Sequence, residues 1–426
     1  MSVRFFCVAA VLLGAACGSS GRGSGGAAGA AGAGAGGTVD AGAVSQGGAG
    51  AGGGAGVGGG AGAGGRAGTS GPAGAGGSAG AAGGAGVAGG AGVAGRAGAG
   101  GGAGAGVTCP CDIYEGGGTP CVAAHSTVRA LFGAYGGKLY QVRNSAGATK
   151  DIGAVAPGGA ADGAAQDAFC AGTTCVITAV YDQTGNGNDL WYQGSGSPVG
   201  GQDKPASAIT ESLELGGNKV YSLYIDPGNS YWVDGSKQGL PLGSAPEGMY
   251  MVTSGKHYNS GCCFDYGNSE TDRKADGAGA MDAINLSSIT TWGTGAGAGP
   301  WMMADLEYGL FAQNSTGKNQ KDPSQTATYV TAVLKNDGTK EFAIKGGDAT
   351  AGALSTYYKG ALPNGYSPMK KQGAIVLGSG GDCCATNTNQ SDGTFYEGCI
   401  VSGYPSDAIE DAVQANIVSA GYGQTQ

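Results

Sequence analysis

The chain has 426 residues, 95 of them glycine and 12 cysteine, with 22 basic against 31 acidic side chains and a net charge of −9. Residues 1–107 hold four Arg against Asp40, a local +3, which leaves −12 on residues 108–426. Such acidity argues against nucleic acid and anionic membrane surfaces as partners.

The opening MSVRFFCVAAVLLGAAC sets Arg4 ahead of an apolar run over residues 5–16, with small residues before Cys17. It reads as a bacterial export signal, too short to span a bilayer. The small residues before Cys17 also suggest lipoprotein processing, in which that cysteine is acylated; Gly14 stands where a branched apolar residue is usual. Residues 18–107 are Gly and Ala with scattered Ser, Thr and Arg, and Gly supplies 43 of the 90. Such a segment cannot bury enough apolar surface to offset its ordering entropy, so it is expected to be a disordered tether. As a random coil it reaches roughly 50 Å.

Residues 108–426 hold all 4 Trp, all 19 Tyr and 10 of the 12 Cys, and one large all-β domain can occupy this length. Strand-like runs recur: LYQVRN near 139, TCVITAVYD near 174, YSLYID near 221, MYMVTSG near 249, WMMADLEYGLF at 301, ATYVTAVLK near 327, EFAIKG near 341, GAIVLGSG at 373 and TFYEGCIVSGY at 394. Their aromatic and β-branched content, between Gly, Asn and Asp turns, fits an antiparallel sandwich. KNDGTK at 335–340 is a hairpin signal. After Pro405 the pattern predicts a short helix capped by Asp407, with Glu410 three residues on, Ile409, Val413 and Ile417 buried, and Gly421 at its end. A shorter helix is expected over residues 122–131.

Ten cysteines in an exported domain read as bridges rather than thiols. A zinc site would need more than His125 and His257, and no paired CxxC clusters occur, so neither metal nor cofactor is expected. Spacing suggests Cys111 with Cys121 and Cys170 with Cys175. Cys262 and Cys263 are adjacent, and ordinary disulfides span Cα distances of about 4.4–6.8 Å against about 3.8 Å for trans neighbours. Direct joining therefore needs a twisted or cis-like peptide, and geometry alone favours separate, distant partners. If both doublets do close on themselves, Cys109 is left for Cys399; cross-pairing of Cys262 and Cys263 with Cys383 and Cys384 is the alternative.

Two segments could carry chemistry. In PWMMADLEYG, 300–309, a strand would place Met303, Asp305 and Glu307 on one face. Two carboxylates there are costly to bury unless bonded or used, while an edge strand with one wet face is the bland account. In LGSGGDCC, 377–384, Asp382 follows Gly380 and Gly381, and glycines let a backbone approach a ligand closely, although a plain loop acid is the commoner explanation. Glycoside hydrolysis needs two carboxyl groups flanking one bond, and Glu307 with Asp382 could supply them. Asp265, Glu270, Asp272 and Glu397 compete. YDQTGNGND at 181–189 lacks the full calcium-loop spacing and the lysine of a phosphate loop, and reads as a tight turn leaving a strand. No serine elbow supports a hydrolase triad.

PCDIYEGGGTPCVAAHSTVRAL at 110–131, AQDAFCAGTTCVIT at 165–178, VYDQTGNGNDL at 180–190, HYNSGCCFDYGNSET at 257–271, TTWGTGAGAGPWMMADLE at 290–307, LSTYYKGALP at 354–363 and GTFYEG with SGYPSD at 393–407 occur in order. Together they resemble the catalytic domain of the α-L-arabinofuranosidase B family, glycoside hydrolase family 54, over essentially all of 109–421. The resemblance implies a concanavalin-like β-sandwich (jelly roll) with a pocket on one sheet. It also implies an exo-acting enzyme that removes terminal α-L-arabinofuranosyl groups from arabinan and arabinoxylan of plant cell walls with retention. By position it makes Glu307 the nucleophile and Asp382 the general acid/base, with Asp305 and Gly381 binding the sugar and Trp292 nearby. Cys262 and Cys263 would match the family's vicinal disulfide, a rigid sulfur plate for the furanose, and Cys111–Cys121 and Cys170–Cys175 its other bridges.

Family members follow the nucleophile with two asparagines, whereas Tyr308 and Gly309 stand here, and Cys383–Cys384 is a second doublet not expected from the family. Many members also carry a C-terminal arabinose-binding β-trefoil, while this sequence stops at Gln426. The sequence thus divides into an export signal at 1–17, a linker at 18–107 and a β-sandwich at 108–426, expected as a monomer that is secreted or tethered to the cell surface. The rival readings are a sugar-binding module on the cell surface that kept the sandwich and lost catalysis, and a structural surface protein.

Overall fold

A computed structural model of the protein describes residues 107–378 and 390–424. The export signal with Cys17, the Gly/Ala-rich stretch through residue 106, and Gly381, Asp382, Cys383 and Cys384 lie outside the described residues.

In chain order the elements are α1 (Pro110–Gly116), β1 (Cys121–Ser126), β2 (Lys138–Asn144), β3 (Thr149–Gly153), α2 (Gly163–Cys170), β4 (Cys175–Val180), β5 (Leu190–Tyr192), β6 (Ser212–Leu215), β7 (Asn218–Tyr221), β8 (Leu223–Ile225), β9 (Tyr231–Asp234), β10 (Glu247–Ser254), β11 (Asp265–Ser269) and β12 (Asp282–Ser287). They continue with β13 (Thr294–Ala296), β14 (Trp301–Asp305), β15 (Leu310–Phe311), β16 (Lys318–Pro323), β17 (Tyr329–Asn336), β18 (Glu341–Asp348), β19 (Ala351–Ala361), β20 (Ala374–Leu377), β21 (Gly393–Ser402) and α3 (Asp407–Ser419).

Among the described residues one sheet runs β1-β21-β10-β17-β18-β19, with β8 also on β21, and a second runs β15-β14-β12-β11-β20-β9-β5-β4-β2-β3. The pairings in both are antiparallel, and the chain is the expected β-sandwich. Alternation explains the layering: Tyr266, Ile284, Met302 and Ala304 point to the shared core from the second sheet. Tyr266 meets Phe395 of the first sheet at 5.0 Å between ring centroids, and full burial of side chains this size contributes about 1.5–3 kcal/mol each. A Cβ on Gly346 would stand 2.3 Å from the Met302 methyl, so β18 takes glycine where β14 pushes a long side chain across.

Three sequence expectations change. Residues 122–131 are not a helix: β1 occupies their first half, laddered to β21, and His125 is pinned by the Tyr266 hydroxyl at 3.0 Å and the Asn188 carbonyl at 2.8 Å. Tertiary pairing overrides the local pattern there. The C-terminal helix exists, but Ser406 caps it, accepting from the Ile409 N–H. Asp407 and Glu410 instead pair with the buried ammonium groups of Lys335 and Lys345 on β17 and β18. Finally, Cys109 and Cys399 are free and buried rather than joined. Cys399 in β21 has its sulfur within 4.8 Å of those of Cys111 and Cys121, which are already bonded to one another, while Cys109 Sγ faces the Gly158 carbonyl.

The turn at 181–189 fastens β4 to β1. Asp182 accepts from the Ala124, Thr184 and Asn188 N–H groups, and Gly185 and Gly187 take φ of 80° and 87°. Disulfides join Cys111 to Cys121 and Cys170 to Cys175 at Cα separations of 5.6 and 5.8 Å, and Cys262 to Cys263 at 2.9 Å across a cis peptide.

Candidate active site

Register across three neighbouring strands assembles the site. Asp265, Asn285 and Met303 lie opposite one another on β11, β12 and β14, and so do Gly267, Ala283 and Asp305. Directly opposed residues share a face, so these side chains stand on the side turned away from the core, with the small Gly267 and Ala283 beside Asp305. Two apolar clusters flank the acids on this face. One joins Cys263, Ile289, Trp301, Met303, Leu310 and Ala312, with Cys262 and Trp292 packed against it. The other joins Trp232, Met281, Ala283, Ala374 and Val376. The structure thus brings Cys262, Cys263, Trp292 and Asp305 to one place.

Glu307 reaches it by a different route from the one its spacing predicts. The strand stops at Asp305, and Leu306 to Gly309 form a tight hairpin turn into β15, closed by Leu306 N–H to the Gly309 carbonyl at 3.3 Å. Both central residues are left-handed, Glu307 at φ 64° and Tyr308 at φ 59°. That is the sign pattern of the turns whose twist suits antiparallel strands, normally built from Asn and Gly. Holding other residues there costs roughly 1–3 kcal/mol each, and such strain gathers at functional sites. The turn is held in place: Glu307 N–H donates to Asp305 Oδ1 at 3.0 Å, and Tyr366 donates its hydroxyl to the Glu307 carbonyl at 2.9 Å. Glu307 is 8 % exposed, whereas Tyr308 is 62 % exposed and donates to the Ala275 carbonyl. Tyr308→Asn, which tolerates this backbone, is expected to stabilise the protein by about 0.5–1 kcal/mol, read as a higher urea midpoint with unchanged slope.

The acids come in two pairs. Asp265 is buried beside Asp305; burial first, then the Asp305 carboxylate, hold its carboxyl well above the usual range, although Asn285 Nδ2 donates to it at 2.7 Å. Glu270 is buried with its carboxyl in hydrogen-bonding contact with Glu307, and burial followed by that contact pushes it up to about 9. Burial, with both Asp305 and Glu307 nearby, raises the Tyr366 phenol to about 12. Like charges this close cannot all ionise in a buried site.

The other competing acids fall elsewhere. Asp272 is at the surface with Lys274, and Glu397 is bonded to Arg129 in the first sheet. His257 stacks on Tyr224 with ring centroids 3.7 Å apart. Of the residues bordering the segment that holds Asp382, Gly378 donates its N–H to the Asp265 carbonyl at 2.9 Å, and the Gln390 carbonyl accepts from Asn259 Nδ2 at 2.8 Å, on the loop leading to Cys262. Tyr366 escaped sequence reading: in PNGYSP it looks like turn filler.

A family model described as "Alpha-L-arabinofuranosidase B, catalytic" matches residues 110–423. A probable α-L-arabinofuranosidase B of Aspergillus terreus is 54 % identical over 320 residues, 74 % of this chain and 62 % of that one. An α-L-arabinofuranosidase of Hypocrea jecorina is also 54 % identical, over 74 % of this chain and 63 % of that one. Among solved structures, a mutant GH54 α-L-arabinofuranosidase soaked with 4-nitrophenyl α-L-arabinofuranoside superposes with a TM-score of 0.70 at 50 % identity, covering 74 % of this chain and 66 % of its own. An arabinofuranosidase complexed with arabinofuranosyl-α-1,2-xylobiose gives the same values. The chain spans a little over three-fifths of the length of these curated relatives. A shared fold, a match running nearly end to end through the sandwich and half-identical sequence place the chain in the α-L-arabinofuranosidase B catalytic family.

Proposed function

We propose that the protein is an exo-acting, retaining α-L-arabinofuranosidase that needs no cofactor. The observation that carries this reading is Glu307: a nearly buried carboxylate held on a left-handed turn at the face where Asp305, Trp292 and the Cys262–Cys263 disulfide converge. A furanose laid with its apolar side on the disulfide, its hydroxyls toward Asp305, puts the anomeric carbon before Glu307. Glu307 attacks and forms a glycosyl ester while Asp382, in its neutral form, protonates the departing oxygen. Asp382 then takes a proton from water, which displaces Glu307 with a second inversion. Retention requires the two carboxyl groups to stand about 5–5.5 Å apart.

Family relatives solved with an aryl arabinofuranoside and with an arabinofuranosyl xylobiose support terminal arabinofuranosyl groups, as found on arabinoxylan and arabinan, as the substrate class. A monomer outside the cell, secreted or anchored through Cys17, suits a polymer that cannot enter. Among the described residues no helix is long and apolar enough to cross a membrane.

The test is hydrolysis by the full chain of 4-nitrophenyl α-L-arabinofuranoside, arabinan and arabinoxylan. Free arabinose is expected, appearing first as the α anomer by NMR. Glycan binding with no sugar released would overturn the assignment in favour of a carbohydrate-binding module.

A further inference from the structure

Glu270 has no part in the double displacement just described, yet it is buried beside the attacking residue. It follows β11, and Glu307 follows β14; the two strands run parallel to one another across β12, so both acids emerge at the same end of the sheet. Glu270 is 0 % exposed, and the Trp232 indole donates to its backbone carbonyl at 3.2 Å. Its Oε2 accepts the Ser269 hydroxyl at 3.1 Å. Its Oε1 is sealed from solvent and meets no hydrogen-bond donor among the described residues; the group its carboxyl meets is that of Glu307. Two ionised carboxylates in such contact repel strongly at low dielectric, and an acceptor without a donor is costly. One proton between them removes both penalties.

We propose that Glu270 is a positioning residue that keeps this proton and donates it to one carboxylate oxygen of Glu307, aiming the other at the anomeric carbon. The inference rests on the reading of Glu307 as nucleophile. No proton leaves Glu270 in either step. During attack its O–H bonds the oxygen that becomes the ester carbonyl, and as the ester breaks the same bond stabilises the returning carboxylate, easing its departure. The charged groups acting on Glu270 are Glu307 and Asp305, from the turn after β14 and from β14 itself. Arg273, over the Trp232 ring, spends its guanidinium on Gln193, Val199 and Gly200. Among the described residues the charges acting on Glu270 are those of acids, and burial followed by the Glu307 contact pushes its carboxyl up to about 9.

An aryl arabinofuranoside with a strongly acidic phenol as leaving group tests this, because its departure needs no general acid and the pH profile reports the nucleophile's side alone. Wild-type kcat/KM is expected to fall above about pH 9. Glu270→Gln, whose amide donates at every pH, should keep kcat within a few-fold and lose that alkaline limb, while Glu270→Ala should lose about 10–100-fold in kcat with KM little changed. Equal damage from both variants with an unchanged profile, or wild-type kcat in Glu270→Ala, overturns the proposal. Infrared difference spectra need no activity: the protonated-carboxyl band at pH 7 should lose the share of one carboxyl in Glu270→Gln, other raised carboxyls such as Asp265 still contributing, and an undiminished band also refutes the shared proton. An inactive wild type would instead refute the hydrolase reading, leaving the infrared result to decide where the proton sits.

Discussion

Glu307→Ala is expected to lower kcat/KM for 4-nitrophenyl α-L-arabinofuranoside by at least about 10³-fold, about 4 kcal/mol of transition-state stabilisation. Among the described residues no other carboxylate on this face can replace it. Burial and their carboxylate neighbours raise the carboxyls of Asp265 and Glu270 above the usual range, and a protonated carboxyl is a poor nucleophile. Asp305, which receives the Glu307 N–H, is committed to the turn. Because the missing side chain leaves a space where the attack began, added azide should restore turnover and give the β-configured arabinofuranosyl azide, the product of one inversion. Azide-dependent product of that configuration identifies Glu307 as the attacking group. Wild-type turnover without azide, or an azide product of retained configuration, would remove Glu307 from that role and leave the mechanism without its first step.

Much of the scaffold is legible before any coordinates. β4, β10, β17, β18, β20 and β21 are runs of β-branched and aromatic residues bounded by turn formers, because buried central strands must fill space on a pleated surface. β11 is not legible in the same way. Its sequence, DYGNS, carries Asp, Gly and Asn, which lower strand propensity: Asp265 and Gly267 lie on the face that forms the acid-lined site, while Asn268 shares the core side with Tyr266 and donates to the buried Glu247. The edge strand β19 was missed as well: most of it is exposed, so it lacks the alternation that burial imposes.

The site divides along the same line. A pair of carboxylates inside WMMADLE is conspicuous because acids are expensive among apolar neighbours, and that cost is local enough to be read from the chain. The turn that carries Glu307 is not, since a left-handed glutamate and tyrosine contradict their own preferences and are held by Asp305 and Tyr366 from outside the turn. Nor could spacing choose Glu270 over Asp272, two residues apart in sequence. Only the register from β11 through β12 to β14 sets the first against Glu307, and the second goes to the surface.

The largest stability loss is expected far from the chemistry, at Glu397→Ala. Glu397 on β21 is fully buried and receives Arg129 in a fork, Nε to Oε2 at 2.5 Å and Nη2 to Oε1 at 2.6 Å, with the Tyr250 hydroxyl of β10 adding a third bond at 3.2 Å. The same guanidinium donates to Asn416 Oδ1 on α3, and the Arg129 carbonyl accepts from Gln183 at the turn after β4. Four parts of the fold therefore meet on one ion pair. Truncating the acid strands a buried guanidinium, a loss of about 3–5 kcal/mol, whereas replacing both partners with apolar residues of similar volume removes the unpaired charge and should cost much less. Urea unfolding of the full chain, followed by tryptophan fluorescence, should show Glu397→Ala far less stable than Arg129→Met combined with Glu397→Leu. The folded fraction of each variant should keep its kcat, because neither residue touches the catalytic face. A loss below about 1 kcal/mol for Glu397→Ala would mean that water reaches the pair and that the junction is held by packing alone.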